Sequence, residues 1–172
     1  AVSPRKGADV LLAAFTSLAE TRPDLHLWYV GNRDWEEFDQ DVANNAHSHR
    51  IHLVGLADDP ASFLTGATAV ALASRREGLA LSLLEAREVG AAIVATETDG
   101  AREGLDQGAA GILVPVDDPE ALASALARVI DDPSHRDELR KRSRIGLARF
   151  SVTRMAREYE CCYRQVLNRR KR

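Results

Sequence analysis

The chain of 172 residues is 45% hydrophobic and 28% charged, enough apolar residue for one core, and reads as one domain over residues 1–172. Its net charge of −3 and isoelectric point near 6.0 argue against a nucleic-acid partner, which needs a basic face. The apolar runs are strand-sized and exclude a membrane-spanning helix, and the adjacent Cys161 and Cys162 diverge on a helix, which argues against a structural disulfide and fits a reducing cytoplasm.

After Ser3-Pro4-Arg5-Lys6-Gly7, apolar residues at Val10, Leu11, Ala14, Phe15 and Leu18 predict a helix that ends before Pro23. Leu25 to Gly31 reads as a buried strand, Asp34 to His47 as a polar helix, and Ile51 to Gly55 as a second strand closed by glycine. Asp58-Asp59-Pro60 opens a short helix with proline in its first turn. Residues 68–74 and 91–97 predict two more strands, with a helix between them. A helical turn at Gly100 to Gly104, a strand at Gly111 to Val114 and a helix over residues 117–132 follow. Helices over Ser134 to Arg149 and Ser151 to Asn168 close the chain, with the basic end from Asn168 to Arg172 read as a solvated tail. No signal-peptide pattern opens the sequence, and Ala1 in place of Met implies that it is cut from something longer.

Strands alternating with helices imply right-handed crossovers and a parallel, Rossmann-like sheet covered on both faces. Ligands in such α/β sheets bind at the carboxyl ends of the strands. Here those ends are Gly31-Asn32, Gly55-Leu56, Ser74 to Ala80 and Thr96 to Gly100. Each carries glycine, which either admits a nucleotide or phosphate close to the backbone or merely closes a strand.

The stretch from Ala73 to Gly100 holds the two acids of greatest interest, Glu77 in a turn and Glu85 inside a helix. Glu85 sits among Leu81, Leu83, Leu84, Ala86 and Val89, which predicts a carboxylate on a sheet-facing stripe. Such a group costs several kcal/mol unless a basic side chain or a ligand hydroxyl bonds it. Arg75 and Arg76 read as solvated, Ser74 as a turn hydroxyl or a ligand group, and the five scattered histidines as non-catalytic and without metal spacing.

Glu77 to Ala86, followed by Gly90 to Glu103, resembles the donor-site signature of retaining glycosyltransferases of family 4, whose GT-B fold pairs two facing Rossmann-like domains. The likeness extends to Arg5-Lys6-Gly7, Val30-Gly31, Leu53 to Gly55, Gly111 to Pro115 with residues 118–123, and Phe150 to Tyr159. The resemblance implies the C-terminal, donor-binding half of such an enzyme, with the first central strand of the sheet missing. The strands around Leu25–Val30 and Thr68–Ala73 are then expected to flank an open position and not to pair.

By this resemblance, Lys6 and the amides of Gly78, Leu79 and Ala80 hold the donor diphosphate and sugar. Glu85 takes the ribose hydroxyls, and Glu77 is the catalytic acid facing the sugar. Backbone near Leu56 and Ala57 contacts the base. No cofactor and no metal are implied beyond the nucleoside-diphosphate sugar itself. The acceptor is a glycan, lipid or small molecule held by the missing N-terminal half, through which peripheral membrane association would also come. The helix over residues 151–172 is expected to pack on that half, and this portion alone to transfer no sugar. Ala80 and Leu79 replace a glycine and an aromatic usual in the family's turn, and Ala92 stands where proline is frequent. An inactive nucleotide-binding or scaffold module is the alternative, and a GT-B epimerase is disfavoured because it lacks this carboxylate pair.

Overall fold

In a computed structural model, which describes residues 2–169, the chain forms two parallel sheets flanked by helices. The order is α1 (Ala8–Ala19), β1 (Leu27–Val30), α2 (Glu36–Ala43), β2 (Ile51–Gly55), α3 (Pro60–Gly66), β3 (Val70–Leu72), α4 (Leu81–Glu88) and β4 (Ile93–Thr96). Then come α5 (Asp99–Gly104), β5 (Ile112–Val114), α6 (Pro119–Asp131), α7 (Pro133–Ser143) and α8 (Val152–Arg169). β1 pairs only with β2, and β3, β4 and β5 form the second sheet in that order. All three pairings are parallel.

β1 and β3 do not hydrogen-bond to each other, as expected. Between them lies a slot of about 650 Å³, bounded by Leu27 to Val30 on one side and Thr68 to Ala73 on the other. Its remaining walls come from α1, α6, α3 and α4. Among the described residues neither flanking strand has a strand partner on the slot side, and backbone groups denied a partner in an apolar setting are costly.

Helix α1 bridges the two sheets with two faces. Val10, Ala14 and Leu18 enter the core with β4, β5 and α6, whereas Ala8, Leu12, Phe15 and Ala19 pack against Tyr29, Phe38 and Ile51. Burial pushes the Tyr29 phenol well above its usual pKa, and its hydroxyl donates to the Ala8 carbonyl at 2.8 Å. A third cluster joins Leu83 and Ala86 of α4 to Ile93, Ala101 and Leu105.

Arginines close the carboxyl ends of several helices. Arg50 donates to Ala19 O of α1, Arg140 to Ala67 O after α3, and Arg144 to Val89 O after α4. Arg87 and Arg149 reach Gly104 O and Glu103 O of α5, and Arg136 reaches Val129 O and Ile130 O of α6. Cations suit the negative helix end, and each bond satisfies a carbonyl left without an intrahelical donor. Many arginines are thus consumed by the fold.

The helix predicted over residues 134–149 is two elements. The first ends at Ser143, and after a turn Gly146 at φ 77° leads into a 3₁₀ turn over Leu147–Phe150. The polar helix predicted over residues 34–47 shortens to α2 because Asn44, Asn45 and His47 form side-chain-bonded turns. Asn168 and Arg169 belong to α8, whereas Arg170, Lys171 and Arg172 of the tail lie outside the described residues, as does Ala1. Among the described residues no helix is long and apolar enough to cross a membrane.

Candidate functional site

The Arg5-Lys6-Gly7 segment is pinned against the end of β3. Gly7 adopts φ 63° and sits so close to Ala73 that an added Cβ would overlap its carbonyl. Arg75 N–H donates to Arg5 O at 2.9 Å, tying the two chain segments together. Only glycine permits that approach. As a result Lys6 Nζ bonds Glu77 Oε2, although the two residues lie 71 positions apart. The Ser74 hydroxyl donates to the same carboxylate oxygen at 3.3 Å, and Arg5 Nη1 lies 4.0 Å from the other. The Glu77 side chain is only 13% exposed, so it is a half-buried, ion-paired acid and not an exposed loop residue.

The turn carrying Glu77 rests on α5. Gly100 N–H donates to Glu77 O at 3.3 Å, and the Gly100 Cα packs on the Gly78 carbonyl. Thr98 starts α5 by accepting from the Ala101 amide at 3.2 Å. Ala80 precedes α4 at φ −73° and ψ 111°, an extended conformation open to any L-residue, so alanine in place of glycine costs no strain. α4 has no side-chain N-cap, and among the described residues the amides from Gly78 to Ser82 donate to no backbone carbonyl. Free amides and a helix amino end favour negative charge at this position.

Glu85 requires a correction. The expected burial on a sheet-facing stripe is not found: Glu85 and Leu81 are exposed, and the buried face of α4 is Leu83, Ala86 and Arg87. Leucines surround this short helix, so its apolar pattern did not define one face, and the sheet selected positions 83, 86 and 87 instead. Glu85 pairs with no cation among the described residues and lines the slot with Ser82, one turn earlier. The slot therefore opens at the strand carboxyl ends onto Lys6, Ser74, Ser82 and Glu85.

The buried charge on α4 is Arg87, which sequence reasoning did not identify. Its guanidinium donates to Ser143 O at 2.7 Å, Ile145 O at 2.5 Å and Gly104 O, and lies 3.9 Å from Asp106. Desolvation pulls its pKa down, and Asp106 opposes the shift. Arg75 is likewise not free in solvent. It bonds Asp9 through both terminal nitrogens, at 2.9 and 2.7 Å, and Asp117 through Nε at 2.6 Å. These partners raise the Arg75 pKa.

Leu56 lies at the carboxyl end of β2, 81% exposed, with Ala57 half-buried beside it, and neither lines the slot. His26 Nδ1 and His52 Nε2 stand 2.9 Å apart and His52 stacks on Trp28, a pairing hidden by a separation of 26 positions. No group of three His, Cys, Asp or Glu side chains among the described residues is arranged to hold a metal ion.

The hydrogen bonds from Arg75 hold the Asp9 carboxyl below its usual range, despite the opposing effect of partial burial. A carboxyl with a lowered folded-state pKa contributes stability above its unfolded pKa and loses it as pH falls through the folded value. Asp9→Asn should therefore lower the melting temperature at pH 7 and show a shallower decline than wild type as pH falls below about 4. Parallel acid-melting curves for the two proteins check this.

The family model described as "Glycosyl transferases group 1" matches residues 1–132. A phosphatidyl-myo-inositol mannosyltransferase of Mycolicibacterium smegmatis is 35% identical over 140 residues, covering 80% of this chain and 35% of that protein. Among solved structures, a sucrose-phosphate synthase of Thermosynechococcus elongatus superposes with TM-score 0.86 at 26% identity, over 96% of this chain and 43% of that one. Anabaena HepE in complex with UDP superposes with TM-score 0.84 at 22% identity, over 95% of this chain and 46% of the other. The chain thus spans about a third to under a half of the proteins it matches. Its α/β architecture, parallel sheets with helices on both faces, is that of the Rossmann-like half of a GT-B fold.

Proposed function

Since the chain belongs to the glycosyl transferases group 1 family, we propose that it is the donor-binding domain of a retaining family 4 glycosyltransferase. The observation that carries this reading is that Lys6 bonds Glu77, whose turn leads into the unbonded amides of Gly78 to Ser82, while Lys6, Ser82 and Glu85 line the slot. Lys6 and the amides of Gly78, Leu79 and Ala80 neutralise the diphosphate, first in binding and then as it leaves. Glu85, exposed and without a competing cation, accepts from the ribose hydroxyls. Glu77 faces the sugar and stabilises positive charge developing at the anomeric carbon. The base lies toward Leu56 and Ala57. This cation and amide field supplies what a metal would otherwise provide.

One further parallel strand, from protein outside this sequence, fills the slot, which the unpaired facing strands support. The exposed stripe of Val152, Met155, Tyr159, Tyr163 and Val166 on α8 supports docking of that helix on a second, acceptor-binding domain. The glycan, lipid or small-molecule acceptor, and any contact with a membrane surface, belong to that domain, and the reaction proceeds in a reducing, cytoplasmic setting. Catalysis needs both reactants positioned between the domains, so this portion alone transfers no sugar.

Titration of UDP, GDP and ADP into the chain, followed by amide chemical shifts, should move Gly78 to Ser82 for at least one base. Silence of those amides at millimolar nucleotide would remove the donor-site reading. Glu85→Gln should weaken nucleoside diphosphate binding about ten- to hundredfold, the worth of a hydrogen bond to a charged acceptor. Its melting temperature without ligand should match wild type, because the exposed carboxylate supports nothing in the fold. Unchanged affinity in calorimetry would exclude the ribose role.

A further inference from the structure

At the opposite end of α4 lies a second pocket, of about 320 Å³, where three cations converge. Arg140, Lys141 and Arg144 of the α7 region line it together with Leu64, Val89 and Gly90. α4 rises about 1.5 Å per residue, so its eight residues separate this pocket from the amide site by roughly 12 Å. Residues 136–144 carry five basic side chains against Asp137 and Glu138, although the whole chain has a net charge of −3.

Among the described residues the two arginines are held in place without a carboxylate partner, and Lys141 stands free beside them. Arg140 spends one N–H on Ala67 O at 3.1 Å, and Arg144 spends one on Val89 O at 2.8 Å. Those carbonyls end α3 and α4, and each helix end offsets about half a charge. The rest of each guanidinium is uncompensated. None of the three cations has a carboxylate within 4.0 Å among the described residues, and Lys141 donates no hydrogen bond there. Asp137, Glu138 and Glu88 on the adjoining helices make no such pair. Gly90, at φ 74°, allows the Arg144 guanidinium to lie over its backbone, where an added Cβ would come within 2.5 Å of Nε.

We propose that this pocket binds a phosphate group bearing an apolar substituent. Arg140, Lys141 and Arg144 contact the phosphate oxygens, and the substituent lies on Leu64 and Val89. Two fixed guanidinium groups and a free ammonium suit the several acceptor oxygens of a phosphate. The same chemistry is offered by a soluble phosphate ester and by the headgroup of an anionic bilayer, and the two sources separate by experiment.

Inorganic phosphate titrated into the isotopically labelled chain should shift the amides of Thr65, Gly90 and Lys141 separately from those of Gly78 to Ser82. Lys141→Glu, at an exposed side chain, should weaken the first set on the order of tenfold or more and leave the second set unchanged. Sedimentation with vesicles of phosphatidylcholine, with and without phosphatidylglycerol, forms the second arm. Lys141-dependent sedimentation only with the anionic lipid assigns the headgroup. Phosphate shifts without sedimentation assign a soluble ester. Absence of shifts at Thr65, Gly90 and Lys141, or shifts and sedimentation indifferent to Lys141→Glu, overturns the proposal.

Discussion

Gly100→Ala should displace the Glu77–Gly78 turn, while Gly78→Ala leaves it standing. A Cβ on Gly100 would occupy the space of the Gly78 carbonyl oxygen and approach the Glu77 carbonyl to 2.9 Å. Both obstacles are backbone, so no rotamer change relieves them, and either the first turn of α5 or the Glu77 turn must move. Overpacking of this kind costs about 1–3 kcal/mol, or roughly 2–10 °C in melting temperature for a chain of this size. The displaced carboxylate also loses its alignment with Lys6 and Ser74, so nucleotide binding should fall with stability. At Gly78, by contrast, nothing lies within 4 Å of an added Cβ. Gly78→Ala should melt close to wild type and still bind nucleotide less well, because the methyl group is added beside the Gly78 amide assigned to the diphosphate. Melting curves and calorimetric titration of both variants decide this. Equal melting temperatures would mean that α5 does not support the turn.

Glu77→Gln is expected to tighten the binding of a bare nucleoside diphosphate. An acid that acted only on the sugar would leave that affinity unchanged. Here Glu77 holds Lys6, so an incoming diphosphate must compete for the ammonium. Neutralising the carboxylate frees Lys6 and removes a like charge from the path of the anion. A gain on the order of three- to tenfold is expected, in keeping with a part-buried ion pair. Lys6→Met should weaken the same ligand about ten- to hundredfold, since Glu77 then faces the diphosphate without compensation. In a full-length protein with the proposed transferase activity, Glu77→Gln should still depress kcat, because only interactions stronger in the transition state accelerate transfer. A double-mutant cycle on nucleoside diphosphate affinity measures the coupling. Additivity of the two substitutions would show that the pair does not govern access to the site.

Much of this arrangement was legible along the chain because its signals are local. Strand runs closed by Gly31 and Gly55, and the Asp-Pro starts of α3 and α6, mark elements without reference to distant residues. The succession around Glu77 and Glu85 was legible through resemblance. Long-range partners were not. Arg75 reaches Asp9 and Asp117, and His26 reaches His52, across separations that no spacing rule encodes. The face of α4 misled for a different reason. Leu81, Leu83, Leu84 and Val89 surround a helix of eight residues, and packing against Ile93 and Leu105 decided which of them to bury. Arg87 looks like a surface residue in sequence because of its charge, yet its hydrocarbon stem fills core space while its head meets carbonyls contributed by α5, the last residue of α7 and the turn after it. The break before Gly146 did have a signal, basic residues followed by glycine, which mark a helix end.

The two faces of α1 carry a consequence for how the molecule comes apart. Among the described residues no strand hydrogen bond joins β1 and β2 to β3, β4 and β5, so the smaller sheet is attached mainly through the side chains of one helix. Units joined in this way open separately, each with its own free energy. Amide exchange should accordingly be faster in Leu27–Val30 and Ile51–Gly55 than in Ile93–Thr96, which is buried along its whole length. A strand lying in the slot would hydrogen-bond to both edges at once and make the two leaves one cooperative unit. The melting behaviour of the molecule is then a reporter on the slot: two transitions while it is open, one when it is filled.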